Sequence, residues 1–456
     1  MPIQSINPYT NKVLKSFDED SEDKVNQVLE LAGDTFRFWK KTTFAHRSEL
    51  MRKVARILRN KTQTLAKMMA QEMGKPVKEG LDEINKCALT CDYYADNAEK
   101  FLQDEVIQIQ AEGTKNLIIY QPVGAILAIM PWNFPFWQVI RFAAPTLMAG
   151  NVGILKHASN VPQCALALEA TFLEAGFPQG VFQTLLVGSD KVEKLIAHDN
   201  IQAVTLTGSE AAGSKVASLA GKYIKKSVME LGGSDPFVVL PDADLDFAAQ
   251  MAVKGRMINT GQSCICAKRF IVFQHVADKF TRLMTKYMVQ LKMGNPLEEN
   301  VDYGPMARED LAEELLEQVK QSVDKGAVIS TGGGRPVREG AFFNATILTN
   351  VLPGMPAYDE ELFGPVAAII TVRDEEEAIA VANDSRYGLG GSVWTKDLKK
   401  GESLARQIES GFVTVNDIVK SHPRLPFGGI KKSGYGRELS HLGIREFTNI
   451  KTLRVK

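Results

Sequence analysis

Between residues 116 and 220 the sequence alternates short apolar runs with longer amphipathic stretches, and this alternation restricts the chain to few folds. The apolar runs are bounded by glycine or proline and cover residues 117–120, 124–130, 152–155, 181–186 and 203–206. The runs after Tyr120 alternate with helical patterns at 136–148, 161–174, 191–197 and 214–220. Parallel strands need crossover connections, so the pattern predicts a parallel sheet covered by helices on both faces. Ligands of such sheets bind at the carboxyl ends of the strands.

Different patterns flank this region. On the N-terminal side, Ser21 is a predicted N-cap, and further helices are expected over 47–60 and after Pro76. On the C-terminal side, residues 234–415 form a second α/β pattern with strands at 269–273, 328–331 and 366–371, which predicts a separate domain. Residues 446–455 alternate like a strand, and a terminal strand of this kind often pairs with a partner subunit.

Composition excludes several classes of protein. A chain of 456 residues with 45% hydrophobic and 24% charged residues is typical of a globular protein with two or three domains. The 54 basic residues balance the 54 acidic ones, so no broad field attracts nucleic acid or a membrane surface. The first residues of the sequence are polar, and no apolar run reaches the roughly 18 residues that a membrane-spanning helix needs. No P-loop motif occurs.

The five cysteines indicate a reducing compartment, because an odd number in a large chain does not suit a secreted disulfide framework. We therefore expect a cytoplasmic protein. Cys87 and Cys91 share a helix face, but no second Cys or His pair lies nearby to complete a zinc site. These two side chains are predicted to be packing residues, and no metal is expected.

Cys264 follows a glycine-containing turn, where a side chain can project into a cleft. Taken alone, it would be interpreted as a buried structural cysteine, since a reactive thiol needs a particular environment. Four other segments change that interpretation, because three of them follow predicted strands and the fourth lies in the second α/β segment. They are Pro131-Trp-Asn-Phe-Pro135, Thr207-Gly-Ser209, Glu230-Leu-Gly-Gly233 and Glu361-Leu-Phe-Gly-Pro365.

In this order along the whole chain, the five motifs resemble those of the aldehyde dehydrogenase superfamily, and within it the bacterial succinate-semialdehyde dehydrogenases. The resemblance implies an α/β fold with three parts. A Rossmann-type dinucleotide-binding domain would comprise residues 1–110 and 130–232, and a catalytic α/β domain residues 233–420. Residues 111–129 and 421–456 would form a small β extension for assembly into a homodimer or homotetramer.

The resemblance also implies oxidation of an aldehyde through a thioester on Cys264. A thiolate is a strong nucleophile, and its hemithioacetal can expel hydride. Asn133 and the Cys264 backbone N–H would stabilise the oxyanion, and Glu230 would activate the water that releases free acid. A rival role for Glu230 stays open, because an acid about 22 residues after the Gly208 turn can instead bind the adenosine ribose.

Residues 207–213 follow a strand and open a helix, a suitable arrangement for a pyrophosphate. The stretch is not a strict G-x-G-x-x-G, and in isolation it would be a simple strand-to-helix connection. By the resemblance, Lys156 contacts the adenosine ribose, Glu361 the nicotinamide ribose and Phe363 the nicotinamide ring. The other expected cofactor contacts are Trp132, Gly208, Ser209 and Leu231.

Ser159 bears on the choice between NADP and NAD. Many NAD-preferring relatives have a glutamate at this place, three residues after the lysine that corresponds to Lys156. A glutamate would repel a 2′-phosphate, whereas a serine leaves room for it and Lys156 adds positive charge. We therefore expect NADP as the preferred cofactor and NAD as a weaker alternative.

Trp137 and Arg141 are four residues apart and share a helix face. Without the resemblance, Arg141 would be read as a solvated surface residue. With it, the Arg141 guanidinium and Ser421 are expected to bind the distal carboxylate of succinic semialdehyde, beside Trp137. Cys266 is either a packing residue or the partner of Cys264 in an oxidation switch.

Two alternatives remain. The chain could oxidise another aldehyde, such as glutaric semialdehyde, betaine aldehyde or an aliphatic aldehyde, although Arg141 argues against a cationic substrate. It could also be a non-catalytic protein with the same fold, which the joint presence of Cys264, Asn133 and Glu230 makes improbable.

Overall fold

The computed structural model describes residues 3–109 and 114–456. The α-helices in these ranges are α1 (Glu22–Trp39), α2 (Phe44–Asn60), α3 (Thr62–Met73), α4 (Val77–Phe101), α5 (Trp137–Met148), α6 (Pro162–Glu174), α7 (Val192–Ala197), α8 (Glu210–Lys222), α9 (Leu245–Met257), α10 (Gln274–Met288), α11 (Glu309–Asp324), α12 (Pro356–Asp359), α13 (Glu375–Asn383), α14 (Leu398–Ala405) and α15 (Ser440–Glu446). None of these helices combines the length and apolar character needed to span a bilayer.

The strands in the same ranges are β1 (Ile3–Asn7), β2 (Lys12–Phe17), β3 (Glu105–Val106), β4 (Lys115–Pro122), β5 (Ala125–Met130), β6 (Val152–His157), β7 (Phe182–Thr184), β8 (Ile201–Thr207), β9 (Lys226–Glu230), β10 (Asp235–Val239), β11 (Ala267–Phe273), β12 (Val328–Thr331), β13 (Thr346–Thr349), β14 (Val366–Val372), β15 (Tyr387–Gly388), β16 (Gly390–Trp394), β17 (Phe412–Val415), β18 (Ile430–Lys431), β19 (Gly434–Tyr435) and β20 (Thr448–Val455).

A six-stranded sheet, in the order β19-β9-β8-β5-β6-β7, contains the four apolar runs after Tyr120 that were predicted as parallel strands. The neighbouring pairs from β9 to β7 are parallel, and only β19 runs antiparallel. The chain goes outward from β5 through β6 to β7, then returns to β8 on the other side of β5. Ligands of doubly wound sheets bind in the crevice at such a reversal, beyond the carboxyl ends of the two central strands. Here those ends are Met130 and Thr207.

A seven-stranded sheet, in the order β12-β13-β14-β11-β10-β16-β17, forms the second α/β segment. Its neighbouring pairs are parallel except β12 with β13. Strands β10, β14 and β16 are almost wholly buried, which is typical of a sheet covered on both faces. Together the two sheets confirm the predicted α/β fold class.

A three-stranded sheet, in the order β20-β4-β3, contains the predicted C-terminal strand. Residues 448–455 of β20 pair antiparallel with residues 115–122 of β4 in the same chain. The residues 110–113 lie outside the described ranges, and so does the predicted start of the β extension at residue 111. Strand β5 lies at the centre of the six-stranded sheet. In our proposed domain division, residues 125–129 therefore belong with the dinucleotide-binding part and not with the extension.

Local sequence signals predicted seven of the described helices, α1, α2 and α4 to α8. The Ser21 side chain accepts a hydrogen bond from the Lys24 N–H at the start of α1, as an N-cap does. Helix α8 begins four residues earlier than the apolar pattern indicated, because the Ser209 hydroxyl accepts from the Ala212 N–H at 3.3 Å and starts the helix there. Helix α3 was not predicted from the sequence, and it ends at Gly74 with φ of 77°.

Candidate active site

The loop between α9 and β11 holds Cys264 in a strained turn. Asn259, Thr260 and Gly261 have φ values of 54°, 56° and 75°, a run of left-handed residues that costs free energy at the two positions with a side chain. Two contacts stabilise this turn. The Asn259 N–H donates to Glu79 Oε2 at 2.6 Å, and Asn259 Nδ2 donates to the Asn133 carbonyl at 2.8 Å. The loop thus positions Cys264 beside the end of β5.

Two cavities meet at Cys264. The strand-end cavity, of about 920 Å³, lies at the carboxyl ends of β5, β8 and β9 and includes Trp132, Gly208 and Glu361. The helix cavity, of about 790 Å³, lies against α4 and α5. Among the described residues, Cys264 alone lines both cavities. A nucleophile at this position can be reached from either side.

Six of the eight predicted cofactor residues line the strand-end cavity: Trp132, Gly208, Ser209, Leu231, Glu361 and Phe363. The first turn of α8 lies in the same wall, and a helix N-terminus favours phosphate. The rings of Trp132 and Phe363 meet edge to face at 5.8 Å. The lining therefore suits a dinucleotide, with an anion site at one end and aromatic rings near Cys264.

Lys156 and Ser159 lie outside that cavity, at the same edge of the sheet. Lys156 pairs with Ile129 across β5 and β6, is mostly buried, and donates from Nζ to the His157 carbonyl at 3.1 Å. Burial lowers its pKa, and the negative charges of Glu19 and Asp190 act in the opposite direction. Ser159 is exposed in the turn after β6.

Asn133 touches the loop of the nucleophile directly. Its Nδ2 donates to the Gln262 carbonyl at 3.2 Å, and its side chain is buried in the wall of the strand-end cavity. Gln262 is two residues before Cys264, so the amide donor lies close to the reactive sulfur. This placement fits an oxyanion-stabilising amide.

Burial raises the pKa of the Cys264 thiol to about 12, against the opposing effect of the positive charges of Arg141 and Lys268. Lys268 is a residue that the sequence reasoning missed. Its Nζ donates to the carbonyls of Ser263 and Cys264 at 3.0 and 2.9 Å, and it lies 3.2 Å from Glu361 Oε1. Lys268 thus joins the predicted cofactor carboxylate to the nucleophile loop.

Glu230 ends strand β9 and is buried, without lining either cavity. Its neighbours Thr207 and Leu231 line the strand-end cavity. Neither of its carboxylate oxygens has a hydrogen-bond partner among the described residues. Burial raises its pKa well above the usual value, and the nearby Glu438 carboxylate raises it further.

The helix cavity brings together the three predicted substrate residues, Trp137, Arg141 and Ser421. Arg141 is buried and forms an ion pair through Nε with Glu438. Its Nη2 also donates to Thr207 Oγ1 at 3.3 Å, and its guanidinium lies 4.8 Å from the centre of the Phe427 ring. Glu438 was not singled out from the sequence, because it is distant from Arg141 along the chain and lies in no motif.

Lys86 on α4 was also missed. Its Nζ donates to Ser421 Oγ at 2.7 Å and lies 4.1 Å from the centre of the Trp137 ring. A lysine on the face of a long helix carries no sequence signal of such a role. The contact arises only because α4 packs across α5 and the segment near Ser421.

Cys266, the predicted partner of Cys264, is buried with a free thiol. Its Sγ lies 3.6 Å from the Ile258 carbonyl oxygen, and burial raises its pKa. All five cysteines of the chain are free thiols.

Comparison with known proteins gives similarities over almost the whole chain. The profile of the aldehyde dehydrogenase family matches residues 1–453. A probable succinate-semialdehyde dehydrogenase (NADP+) of Synechocystis sp. is 52% identical over 453 residues, 99% of each chain. Succinate-semialdehyde dehydrogenase (NADP+) 1 of Mycobacterium tuberculosis is 47% identical over 454 residues, again 99% of each. The crystal structure of succinic semialdehyde dehydrogenase from Streptococcus pyogenes in complex with NADP+ has 39% identity and a TM-score of 0.97, and the similarity covers 99% of each chain.

Proposed function

Because the chain belongs to the aldehyde dehydrogenase family, we propose that it oxidises succinic semialdehyde to succinate and transfers the hydride to NADP+. The family resemblance and the α/β fold predicted from the motifs are both confirmed. The position of Cys264 is the observation that carries the proposal. Cys264 lies where a cavity suited to a dinucleotide meets a second cavity whose lining includes Trp137, Arg141 and Ser421.

Cys264 attacks the aldehyde carbon as a thiolate, forming a C–S bond and leaving negative charge on the former carbonyl oxygen. The side-chain amide of Asn133 and the Cys264 backbone N–H donate hydrogen bonds to that oxygen. Each such donor can lower the barrier by ~3 kcal/mol. Because the pKa of the thiol is about 12, the thiolate fraction rises with pH throughout the neutral range.

NADP+, when bound, accepts the hydride that leaves the substrate carbon. We assign its contacts to Trp132, Gly208, Ser209, Leu231, Glu361 and Phe363, which line the strand-end cavity, and to Lys156 and Ser159 at the edge of the same sheet. Glu361 accepts a hydrogen bond from the Gly233 N–H at 3.0 Å, so its carboxylate is already oriented. The absence of a carboxylate at Ser159 supports the preference for NADP over NAD.

Departure of the hydride leaves a thioester on Cys264, which water must cleave. We assign the general base to Glu230, whose raised pKa suits proton transfer near neutral pH. The water loses its proton to the carboxylate and attacks the thioester carbon. The C–S bond then breaks, which releases succinate and regenerates the Cys264 thiolate.

Arg141 and Ser421 are our candidates for binding the distal carboxylate, with Trp137 forming the adjacent wall. A cationic wall suits an ω-carboxylated aldehyde and opposes a cationic one such as betaine aldehyde. This assignment supports succinic semialdehyde over neutral aliphatic aldehydes.

Cys266 is proposed as the resolving thiol of an oxidation switch. A peroxide would oxidise Cys264 to a sulfenic acid, and Cys266 would displace water from it to form a disulfide. Peroxide should inactivate the enzyme, and dithiothreitol should restore activity in the wild type but not in Cys266→Ala. Because an i,i+2 disulfide is strained, the loop would have to bend.

We propose a homodimer or homotetramer in the cytoplasm. The exposed apolar side chains of β20, among them Ile450, Leu453 and Val455, support assembly. A catalytic thiol and four further free thiols are compatible with a reducing compartment.

A matrix of kinetic measurements tests the proposed function. Purified enzyme is assayed with succinic semialdehyde, glutaric semialdehyde, betaine aldehyde and butanal, each with NADP+ and with NAD+. We expect the highest kcat/KM for succinic semialdehyde with NADP+, and a shift toward NAD+ in Ser159→Glu. A higher kcat/KM for another aldehyde or for NAD+ would refute the corresponding assignment, and undiminished activity in Cys264→Ala would refute the mechanism.

A further inference from the structure

Lys86 lies in the wall of the helix cavity with its ammonium beside two predicted substrate residues. It is half-buried on α4, and its Nζ contacts Ser421 Oγ at 2.7 Å and the Trp137 ring at 4.1 Å. Cys264 lines the same cavity. A group bound to the Cys264 sulfur at one end can therefore meet the Lys86 ammonium in the same space.

The charge of Lys86 is not neutralised by a neighbouring carboxylate. Within the part of the chain that the structure describes, no ion pair involves Lys86. Among the other cations that line this cavity, Arg141 is paired with Glu438, Lys78 lies 3.0 Å from Asp302 and Lys420 lies 3.8 Å from Asp417. Lys254 likewise forms no ion pair within the described ranges, but its side chain is exposed, whereas Lys86 is half-buried. Lys86 is therefore the cation of this wall that gains most from an added carboxylate.

The hydrogen bonds of Lys86 and Ser421 leave donors available for a ligand. An ammonium has three N–H groups, and one of them is used on Ser421 Oγ. The Ser421 oxygen acts as the acceptor in that contact, so its own O–H can donate elsewhere. Two N–H groups and one O–H are thus available on neighbouring side chains of the same cavity wall, a donor set that suits the two oxygens of a carboxylate.

We propose that Lys86 determines specificity for the ω-carboxylate of short aliphatic aldehydes, an inference that rests on the proposed function. The Lys86 ammonium binds the distal carboxylate together with the Ser421 hydroxyl and the Arg141 guanidinium. Arg141 is held in place by Glu438 and Thr207. The aldehyde carbon of the same substrate then faces Cys264.

The protonation state of Lys86 gives the proposal a pH signature. The pKa of Lys86 is lowered to about 8, mainly by burial and secondly by the positive charge of Arg141. The nearby Glu83, Cys87 and Cys264 act in the opposite direction. Because the free enzyme loses the ammonium as pH rises through about 8, binding of the carboxylate should weaken above that pH.

The test compares Lys86→Met with two control variants. Methionine preserves the length and packing of the side chain but removes the charge. Lys86→Arg preserves the charge, and Lys78→Met removes a paired lysine two helical turns away on α4. For Lys86→Met we expect kcat/KM for succinic semialdehyde to fall by about 10- to 100-fold, mainly through KM, and that for butanal to fall far less. Lys86→Arg should retain most of the preference, and Lys78→Met should leave both values near wild type.

The pH dependence is measured as the ratio of kcat/KM for succinic semialdehyde to kcat/KM for butanal. Because both aldehydes react with the same Cys264 thiolate, the ionisation of Cys264 affects both values equally and cancels in the ratio. In the wild type this ratio should fall as pH rises through about 8, and in Lys86→Met it should be low and flat. Equal losses for both aldehydes in Lys86→Met, or a ratio unchanged from wild type, would overturn the role of Lys86. If the wild type does not prefer succinic semialdehyde to butanal, it is the proposed function that fails.

Discussion

A buried carboxylate without hydrogen-bond partners is costly, and Glu230 is such a group. Proteins retain groups of this kind where a raised pKa serves chemistry. The largest causes of the raised pKa at Glu230 are desolvation and then the negative charge of Glu438, with Glu446 adding to them, while the positive charges of Arg141 and Arg437 oppose them. Arg141 therefore lines the proposed substrate cavity and also lowers the pKa of Glu230, the proposed general base, although the sequence predicted only its contact with the substrate.

Glu230→Gln separates deacylation from cofactor binding. Glutamine has nearly the same shape but cannot accept the proton of water, so the thioester should accumulate. We expect a first-turnover burst of NADPH close to one per active site, followed by a steady state slowed by about 10²- to 10⁴-fold. Stopped-flow absorbance at 340 nm measures both phases, and Cys264→Ala, which should show no burst, is the control. Weakened NADP+ binding with undiminished steady-state turnover would instead favour the rival role at the adenosine ribose.

The sequence could predict those site residues that lie in local motifs at strand ends. Asn133 and Gly208 follow β5 and β8, and parallel neighbouring strands bring their ends to one crevice. Lys86, Lys268 and Glu438 belong to no such motif. Their positions depend on which surfaces of separate elements pack together, and that information is not contained in any short stretch of sequence.

Helix α5 carries two of the predicted substrate residues, Trp137 and Arg141, and is buried along its whole length. It lacks a capping side chain of its own, and Glu83 of α4 supplies one. Glu83 Oε1 accepts hydrogen bonds from the backbone N–H groups of Phe136 and Trp137, both at 2.9 Å. Glu83 also forms a buried ion pair with Lys75, whose ammonium lies 3.8 Å from the centre of the Phe134 ring. The position of α5 therefore depends on a charge pair in a neighbouring helix.

Glu83→Gln should destabilise the protein strongly. The glutamine oxygen can still accept from the start of α5, but Lys75 would be left as a buried charge without a partner, which costs ~3–5 kcal/mol. Thermal and urea unfolding measure the change. The exposed pair of Lys61 and Glu174 offers the control, because Lys61→Met should cost less than ~1 kcal/mol. The double variant Lys75→Met/Glu83→Leu should recover part of the loss, and a Glu83→Gln variant as stable as wild type would contradict this account.

Periodicity and capping residues predicted the helices from α1 to α8 with the exception of α3. Helix α3 begins directly after α2 and has the helix formers Leu65, Ala66, Met69 and Ala70 on its buried side, but no side-chain N-cap marks its start. Helix α8 begins at the Ser209 cap, before its apolar pattern becomes visible. The start of a helix is therefore hard to predict where no capping side chain or apolar pattern marks it.

At the scale of the molecule, the three-stranded sheet offers a surface for assembly. All of β20 beyond Thr448 is exposed, and its apolar side chains lie on both faces of the strand. Within the described ranges, β20 pairs only with β4, which leaves its other edge open. An exposed apolar edge of this length is expected to be covered by a partner subunit.

Charged substitutions on β20 test the assembly. Ile450→Glu/Val455→Glu places carboxylates on the two faces of the strand, where burial against a partner would be unfavourable. We expect the molecular mass in solution to drop to that of a smaller assembly, measured by sedimentation velocity or light scattering. Val337→Glu, at a fully exposed position in a loop, is the matched control and should leave the mass unchanged. A monomeric wild type, or an unaltered mass in the double variant, would exclude this interface.

Since Cys264 is the one described residue that lines both cavities, each side can be redesigned with little effect on the other. Ser159, proposed to affect the choice of coenzyme, follows β6, whereas Lys86, proposed to affect the choice of aldehyde, lies on α4 in the wall of the helix cavity. Their free-energy effects should therefore add, as for distant sites in general. Substitutions selected for a new aldehyde could then be combined with substitutions selected for a new coenzyme, and each combination should have the specificity expected from its two parts.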